Sequence, residues 1–352
     1  MDLIQRLKSD YPWIQTPLVV SAPMRLIALA ELAVGVSGAG GIGFIGAGTD
    51  VSDLEKHFEH ASDLLARSSS PPKSSSEVLP IGVGFINWGA QLDQAIGIIK
   101  KYKPAAVWFF APSSKQSLKE WSERSREACP EAKIWVQVGS VREAHLALEI
   151  RPNVLVVQGT DAGGHGLAQG AGLISLLPEV NDAVQEKIEK EGCEAPIIIA
   201  AGGIVEGRSA AAALALGASG VVMGTRFLAS KEANIAKGYQ DEILRAADGG
   251  QSTVRTKVYD NLRGTTGWAE SHNARGVINR SYTDNLAGMG EAENKRLYEE
   301  EIKKGDEGWG VEARMTTYAG TGIGLVKEVK GVKEIVEEVR KGVKSALNEL
   351  KV

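Results

Sequence analysis

Short runs of apolar residues recur along the chain, and a polar or helix-forming stretch separates each run from the next. The runs are continuous rather than alternating, which is typical of strands buried on both faces of a parallel sheet. Eight such runs are present: LVVSAPM (18–24), IGFIGAG (42–48), LPIGVGF (79–85), AVWFFAP (106–112), KIWVQVGS (133–140), VLVVQGT (154–160), IIIAAGGI (197–204) and GVVMGTRF (220–227).

Helix candidates lie between these runs: QLDQAIGIIKKY (91–102), SLKEWSERSREAC (117–129), VREAHLALEI (141–150) and RSAAAALALG (208–217). Eight strands with intervening helices predict an α/β protein with the TIM (β/α)8 barrel fold. A doubly wound open sheet is the alternative, but it would have fewer repeats and a glycine-rich first turn.

A glycine motif near the start raises the question of a dinucleotide site. Gly38, Gly40 and Gly43 match GxGxxG, which binds a dinucleotide when a strand precedes it and a helix follows. Here the order is reversed, because MRLIALAELAVGV (24–36) indicates a helix and IGFIGAG (42–48) a strand. We therefore interpret the glycines as a helix stop and a tight turn.

The pattern changes after the eighth run. Residues 240–321 contain no further strand of comparable quality, which predicts a helical and loop insertion that covers the barrel mouth. One face of a closing helix is then marked by Val326, Val329, Ile335, Val336, Val339, Val343 and Leu347. We divide the chain into a barrel (1–235), a cover segment called here the insertion (236–322) and a C-terminal helix (323–352).

Composition restricts the partners. The chain has 44 acidic and 40 basic residues, interspersed, and a formal net charge of −4. This balance gives no electrostatic basis for nucleic acid or a membrane surface as the main partner, so a small molecule is expected. The sequence lacks a secretory-type apolar run and a membrane-spanning stretch, and Cys129 and Cys193 do not suggest a disulfide framework. We expect a cytoplasmic protein.

The residues that follow the strands are the first place to look for chemistry, because barrel active sites lie at the carboxyl ends of the strands. Gly202 and Gly203 follow the seventh predicted strand, and Gly224 and Thr225 follow the eighth. Barrels commonly bind phosphate there with main-chain amides. Two ordinary turns are the alternative, since glycine is common in turns.

The stretch QGTDAGGHG (158–166), called here the glycine loop, follows the sixth predicted strand. His165 lies among its glycines, on a segment we expect to be flexible and uncrowded. This setting favours a role as general base or hydrogen-bond donor. His272 of the insertion could also reach the mouth, whereas the other histidines lie in predicted helices.

The residue types that are missing narrow the chemistry further. The predicted strands do not end in a lysine for a Schiff base, and neither cysteine lies on a catalytic loop. Asp161 and His165 lack further ligands nearby, so we expect no metal site. A phosphate-binding surface beside one acid/base residue is typical of a site that holds an organic cofactor. FMN fits this combination best.

Four motifs carry a family resemblance: SAPM (21–24), VVQGTDAGGHG (156–166), AAGGI (200–204) and GTRFLAS (224–230). Together they resemble nitronate monooxygenases, formerly called 2-nitropropane dioxygenases, over most of residues 15–235. The resemblance implies a flavin-binding barrel in which His165 stands near the reactive flavin nitrogen. It also implies FMN contacts at Ala22, Pro23, Met24, Asn87, Gln137, Gln158, Gly163, Gly164, Gly202, Gly203, Gly224 and Thr225.

One position departs from the family pattern. Many relatives carry a lysine at the end of the fifth strand, where this chain has Gln137, which offers a hydrogen bond but no fixed charge. The activity implied is FMN-dependent oxidation of alkyl nitronates, or of nitroalkanes, by molecular oxygen to a carbonyl compound and nitrite. The alternatives are an NAD(P)H-dependent quinone or enoyl-thioester reductase and a module that binds FMN without turnover.

Overall fold

The computed structural model describes residues 3–74 and 77–349, so the last three residues of the predicted C-terminal helix lie outside the described part. The strands are β1 (Leu18–Ser21), β2 (Phe44–Gly48), β3 (Leu79–Ile86), β4 (Pro104–Phe110), β5 (Lys133–Val138), β6 (Val154–Gln158), β7 (Gly164–Leu167), β8 (Ile197–Ala201), β9 (Gly220–Met223), β10 (Thr253–Thr256) and β11 (His272–Val277).

The helices are α1 (Leu3–Asp10), α2 (Ala30–Gly38), α3 (Leu54–Arg67), α4 (Leu92–Tyr102), α5 (Lys115–Ala128), α6 (Val141–Leu148), α7 (Leu173–Glu191), α8 (Gly207–Ala215), α9 (Thr225–Leu228), α10 (Lys237–Arg245), α11 (Gly249–Ser252), α12 (Val258–Arg263), α13 (Arg280–Leu286), α14 (Glu291–Ile302) and α15 (Val332–Glu349). Two 3-10 turns cover Gly305–Gly308 and Thr321–Leu325. Among the described residues, no helix is long and apolar enough to cross a membrane.

Eight strands form a parallel barrel. Their order is β1-β9-β8-β6-β5-β4-β3-β2, and all paired neighbours run parallel. The ring closes between β1 and β2, where the Ile42 amide donates to Val19 O and the Ser21 amide donates to Ile42 O, each at 3.2 Å. These are the eight strands predicted from the apolar runs, so the TIM barrel is confirmed.

Aromatic side chains pack inside the barrel. Phe44 of β2 contacts Trp108 of β4 and Trp135 of β5, with ring centroids 5.1 Å apart in both pairs. Because β2 and β5 are not neighbours in the sheet, the second contact crosses the interior. Gly82 makes room for this packing, since a Cβ there would lie 2.3 Å from the Phe44 ring. The interior is thus a packed core, and space for a ligand remains at the strand ends.

Helix α2 begins at Ala30, so the predicted helix over 24–36 is wrong at its start. Leu26 has a φ of +64°, a left-handed conformation that a helix does not accommodate. The backbone of Met24 passes close to β2, where a Cβ on Gly46 would lie 2.5 Å from the Met24 carbonyl carbon. The end of β1 therefore continues as an irregular segment along the barrel mouth before the helix starts.

The GxGxxG motif lies between a helix and a strand, in the order that the sequence predicts. Helix α2 ends at Gly38, strand β2 follows from Phe44, and Gly40 between them has a φ of +78°. Gly43 lets the helix pack tightly on the strand, because a Cβ there would lie 1.9 Å from the carbonyl oxygen of Ala33. The motif is a helix-to-strand turn and not a dinucleotide fingerprint.

Helix α15 occupies the place of the eighth barrel helix, where it packs against α8 and α2. It begins at Val332, later than the predicted apolar stripe, and the Glu232 carboxylate accepts a hydrogen bond from the Val332 amide at 3.0 Å. Val326 is buried in a separate apolar cluster beside the insertion. The apolar residues assigned to one helix face therefore belong partly to α15 and partly to the irregular segment that precedes it.

The insertion contains strands that the sequence did not indicate. β10 and β11 pair antiparallel with each other, and β11 pairs antiparallel with β7 of the glycine loop. Their sequences, TVRT and HNARGV, are short and polar, so they lack the apolar run by which the barrel strands were found. The insertion is thus joined to the barrel mouth through a three-stranded sheet.

Candidate active site

A cavity of about 580 Å³ opens at the carboxyl ends of the barrel strands. Its wall combines strand ends with residues of the insertion, among them Tyr239, Trp268 and Tyr318. Twelve of the predicted site residues line it: Ala22, Pro23, Met24, Gln137, Gln158, Gly163, Gly164, His165, Gly202, Gly203, Gly224 and Thr225. The structure therefore brings together residues that are up to 203 positions apart in the chain, from Ala22 to Thr225.

Asn87 is the predicted site residue that does not line the cavity. Its backbone amide donates to Phe110 O at 2.9 Å, and its side-chain oxygen accepts from the Phe110 amide at 2.8 Å. Ile86 and Trp88 on either side of it do line the cavity. Asn87 lies in the turn that follows β3, where its side-chain oxygen braces β4 and its side-chain nitrogen is buried without a hydrogen-bond partner among the described residues.

Glycines form one side of the cavity, where three loops approach each other. Gly202 and Gly203 have φ values of +102° and +73°, and a Cβ on Gly202 would lie 2.8 Å from the Gly159 carbonyl oxygen. The Gly320 amide donates to Thr225 Oγ1 at 3.0 Å, and a Cβ on Gly320 would lie 2.5 Å from Asp161 O. The result is a glycine cradle, in which the loops pack main chain against main chain and Gly202 and Gly203 bring no side chain to the cavity wall.

His165 is held firmly, in contrast to the flexible setting expected from its glycines. It lies on β7, and its ring stacks on Trp268 with centroids 3.9 Å apart and planes inclined by 9°. The Tyr318 ring packs edge-on at 5.5 Å. The expectation was wrong because the packing partners come from the insertion, about 100 or more residues later in the chain.

A buried carboxylate contacts the same histidine. Asp260 is 3% exposed, and its Oδ1 lies 2.8 Å from His165 Nε2. The hydroxyls of Thr265 and Tyr318 donate to the same oxygen at 2.9 Å and 3.2 Å. Burial, together with the Asp260 charge, raises the pKa of Tyr318 well above its ordinary value, so this hydroxyl remains a donor.

Two arginines of the insertion hold the glycine loop. Arg255 donates to the carbonyl oxygens of Thr160 and Ala162 at 3.1 Å and 3.0 Å, and Arg275 donates to Thr160 O at 3.2 Å. Burial, and next the neighbouring Arg275 charge, lower the pKa of Arg255 to about 10, which leaves it charged at neutral pH. The backbone that leads to His165 is therefore fixed from the insertion side.

Two glutamine amides complete the polar wall. Gln158 Nε2 donates to the carbonyl oxygen of His165 at 3.1 Å, and Gln137 Oε1 accepts from Trp108 Nε1 at 3.1 Å. Since the Gln137 oxygen is engaged by the Trp108 indole, its amide nitrogen is the group it offers to a ligand.

His272 lies behind this wall and does not line the cavity. Its ring contacts Trp268 and Phe110 at centroid distances of 6.0 Å and 5.7 Å. Burial, and next the His165 charge, lower its pKa to about 4, so it is neutral at neutral pH. It supports Trp268 from behind and offers no charge to a ligand.

The sequence interpretation missed Asp260 and Tyr318 and gave Trp268 no role. All three lie in the insertion, where neither period nor motif indicated which side chains face the barrel. The available signal was the composition around Trp268. A tryptophan in a glycine-rich stretch has no local apolar face to pack against, which indicates a packing partner elsewhere in the chain.

Comparisons with known proteins bear on the whole chain. A family model described as nitronate monooxygenase matches residues 82–342. The nitronate monooxygenase npaC of Metarhizium robertsii is 48% identical over 340 residues, which cover 96% of this chain and 93% of that protein. A nitronate monooxygenase of Neurospora crassa is 35% identical, with 99% and 94% covered.

The solved structures agree with the barrel. FabK from Thermotoga maritima superposes with a TM-score of 0.74 at 25% identity, over 98% of both chains. Together with the matches above, the family resemblance seen in the sequence is confirmed. The chain belongs to the nitronate monooxygenase family and is an oxidoreductase.

Proposed function

We propose that this protein binds FMN in the cavity and oxidises alkyl nitronates with molecular oxygen to a carbonyl compound and nitrite. Overall, two nitronate anions and one dioxygen give two carbonyl compounds and two nitrite ions, which balances atoms and charge. The observation that carries the proposal is the position of His165, fixed on the wall of the same cavity that the glycine cradle lines.

The residues of the cavity fit FMN. Gly202, Gly203 and Gly224 line the cavity without a side chain, so a ligand can approach their main chain closely. Main chain that a ligand can approach closely suits a phosphate dianion, and the cavity volume lies within the range of cofactor sites. Bound there, FMN would supply the capacity to accept electrons from the substrate and pass them to oxygen.

Each group of lining residues has a role in holding the cofactor. Gly203, Gly224 and Thr225 would hold the phosphate, with Gly202 allowing the close approach. The segment from Ala22 to Met24, together with Gly163 and Gly164, would pack along the ring system. Gln137 and Gln158 would donate hydrogen bonds, and Gln137 brings no positive charge to this position.

The chemistry assigned to His165 depends on the substrate. A nitronate is already an anion, so His165 would orient it through a hydrogen bond or by charge. A neutral nitroalkane must first lose its α-proton, and His165 would accept that proton. The wall near Met24, Trp88 and Phe110 is apolar, which suits small alkyl groups and excludes water from the reacting carbon.

Replacement of His165 separates these two roles. In the variant H165N, kcat/KM for a neutral nitroalkane should fall on the order of 100-fold or more. For the corresponding nitronate, kcat/KM should fall by less than about tenfold. Nitrite release and oxygen uptake by FMN-loaded protein measure both rates, with 1-nitropropane and propyl nitronate as substrates. The matched control is H145N, because His145 is an exposed histidine of α6.

Two results would contradict the proposal at different points. Equal losses on both substrates would remove the base role from His165. Absence of nitrite from propyl nitronate with the wild-type, FMN-loaded protein would contradict the function itself. The NAD(P)H-dependent reductase, the alternative from sequence, predicts that second result together with oxidation of NADH.

A further inference from the structure

Asp260 is a buried group to which the proposed function assigns no role. Its Oδ1 contacts His165 Nε2 and accepts from the hydroxyls of Thr265 and Tyr318, whereas Oδ2 is buried without a hydrogen-bond partner in the described part of the chain. A buried carboxylate with an unpaired oxygen lowers the free energy of unfolding, and an apolar side chain of similar size would destabilise the fold less. This geometry therefore points to a role in the site.

We infer that Asp260 is a positioning residue, which holds His165 with its proton on Nε2 and so makes Nδ1 the basic nitrogen. Ionised carboxylates accept hydrogen bonds and do not donate them. With the Thr265 and Tyr318 hydroxyls already donating to Oδ1, the short contact to Nε2 is satisfied when that nitrogen carries the proton. The other ring nitrogen then keeps its lone pair.

Trp268 fixes the plane of the same ring. The near-parallel stack at 3.9 Å prevents the imidazole from tilting, and rotation about the side chain would break the Asp260 contact. A stacked indole also stabilises an imidazolium when one forms. The carboxylate therefore sets the tautomer, and the indole sets the orientation.

The proton transfer that follows is balanced and rests on the proposed function. The α-proton of a neutral nitroalkane moves to Nδ1, and the electron pair of that C–H bond stays on the substrate as the nitronate. His165 becomes an imidazolium, whose charge Asp260 compensates. The other titratable or charged groups around His165 are Tyr318, His272 and Arg255, with Arg263 over the Tyr318 ring. Tyr318 and His272 are neutral at neutral pH, so Asp260 supplies the compensating negative charge.

The kinetic test compares D260N with D241N. Asp241 is an exposed carboxylate of α10 in the same insertion, so its variant controls for loss of one charge. D260N should lose on the order of 100- to 10,000-fold in kcat/KM for 1-nitropropane and less than about tenfold for propyl nitronate. The rising limb of the nitroalkane pH profile should move to lower pH, because the imidazolium loses its counter-charge. D260E, which restores the carboxylate, should recover part of the loss.

A second readout needs no turnover. In FMN-loaded protein labelled with 15N-histidine, nitrogen NMR distinguishes protonated from unprotonated ring nitrogens, and H165N assigns the His165 signals among the five histidines. Wild type should show Nε2 protonated and Nδ1 bare, and D260N should show a mixture of tautomers. This measurement on wild type decides the matter even if D260N does not fold.

The inference would be overturned by a wild-type spectrum with the proton on Nδ1. It would also be overturned if D260N lost activity equally on both substrates with an unchanged pH profile, because a merely structural role predicts that result. Failure of wild type to oxidise propyl nitronate would overturn the proposed function instead, and the NMR result would still test Asp260.

Discussion

Arginines bind backbone carbonyls at both ends of the barrel. At the amino-terminal end, Arg340 of α15 donates to the carbonyl oxygens of Gln15, Pro17, Ala39 and Gly40. These residues precede β1 and β2, so one guanidinium joins the last helix to the two strands between which the barrel closes. Arg340 therefore stabilises the closure of the barrel.

At the carboxyl end, Arg255 and Arg275 make the same kind of bond to the loop that leads to His165. The interaction is similar but its position differs, because this end of a TIM barrel carries the chemistry and the other end does not. The same interaction therefore stabilises the fold at the first end and positions the glycine loop at the second.

The largest expected effect on stability comes from R340M. Methionine keeps the aliphatic packing but removes the guanidinium from four backbone carbonyls, of which Gly40 O keeps a hydrogen bond from the Gln15 amide. The free energy of unfolding should therefore fall by on the order of 3 kcal/mol. Urea unfolding measures this, with K341M, an exposed neighbour on α15, as the control. The kcat of the folded fraction should stay unchanged, and a lower kcat with normal stability would break the comparison.

R255M tests the other end. Arg275 still donates to Thr160 O in this variant, so the loss of stability should be smaller, about 1 to 2 kcal/mol. The Ala162 carbonyl loses its donor and the glycine loop gains freedom, so kcat/KM for propyl nitronate should fall roughly 10- to 100-fold. Steady-state nitrite release measures the loss, with K295M on α14 as the control. Unchanged activity would show that the loop holds its position without Arg255.

The smallest expected effect is a change in the pH dependence of stability, and it comes from His272, which lies behind Trp268. Burial lowers the pKa of His272 to about 4, against about 6.5 in an unfolded chain. Unfolding therefore takes up a proton in this window, and the free energy of unfolding falls as the pH drops from about 6.5 to about 4. H272Q should flatten this part of the stability profile in urea unfolding. The same slope in both proteins would contradict the assignment.

The barrel was predictable from sequence because its strands are buried on both faces and appear as continuous apolar runs. β10 and β11 were not, since TVRT and HNARGV are polar and their sheet is completed by β7, far away in the chain. The start of α2 was misjudged because the Leu26 backbone conformation depends on packing against β2 and not on local propensity.

The cavity wall was predictable where a motif stood at a strand end, as for Gly202 and Gly203. Asn87 lies in the turn after β3, and its side-chain oxygen accepts from the Phe110 amide of β4, a contact that the apolar run did not indicate. Asp260 had no local signal at all. Its contact with His165 joins residues 95 positions apart, and it exists only once the insertion has folded over the barrel.

The measurement that tests the central claim most directly is the anaerobic visible spectrum of FMN-loaded protein, recorded before and after addition of propyl nitronate and, separately, of NADH. We expect a yellow protein whose flavin absorbance changes with the nitronate and stays unchanged with NADH. Complete bleaching by NADH without a response to the nitronate would contradict it and identify a reductase. A protein that cannot be loaded with FMN would contradict the cofactor assignment itself.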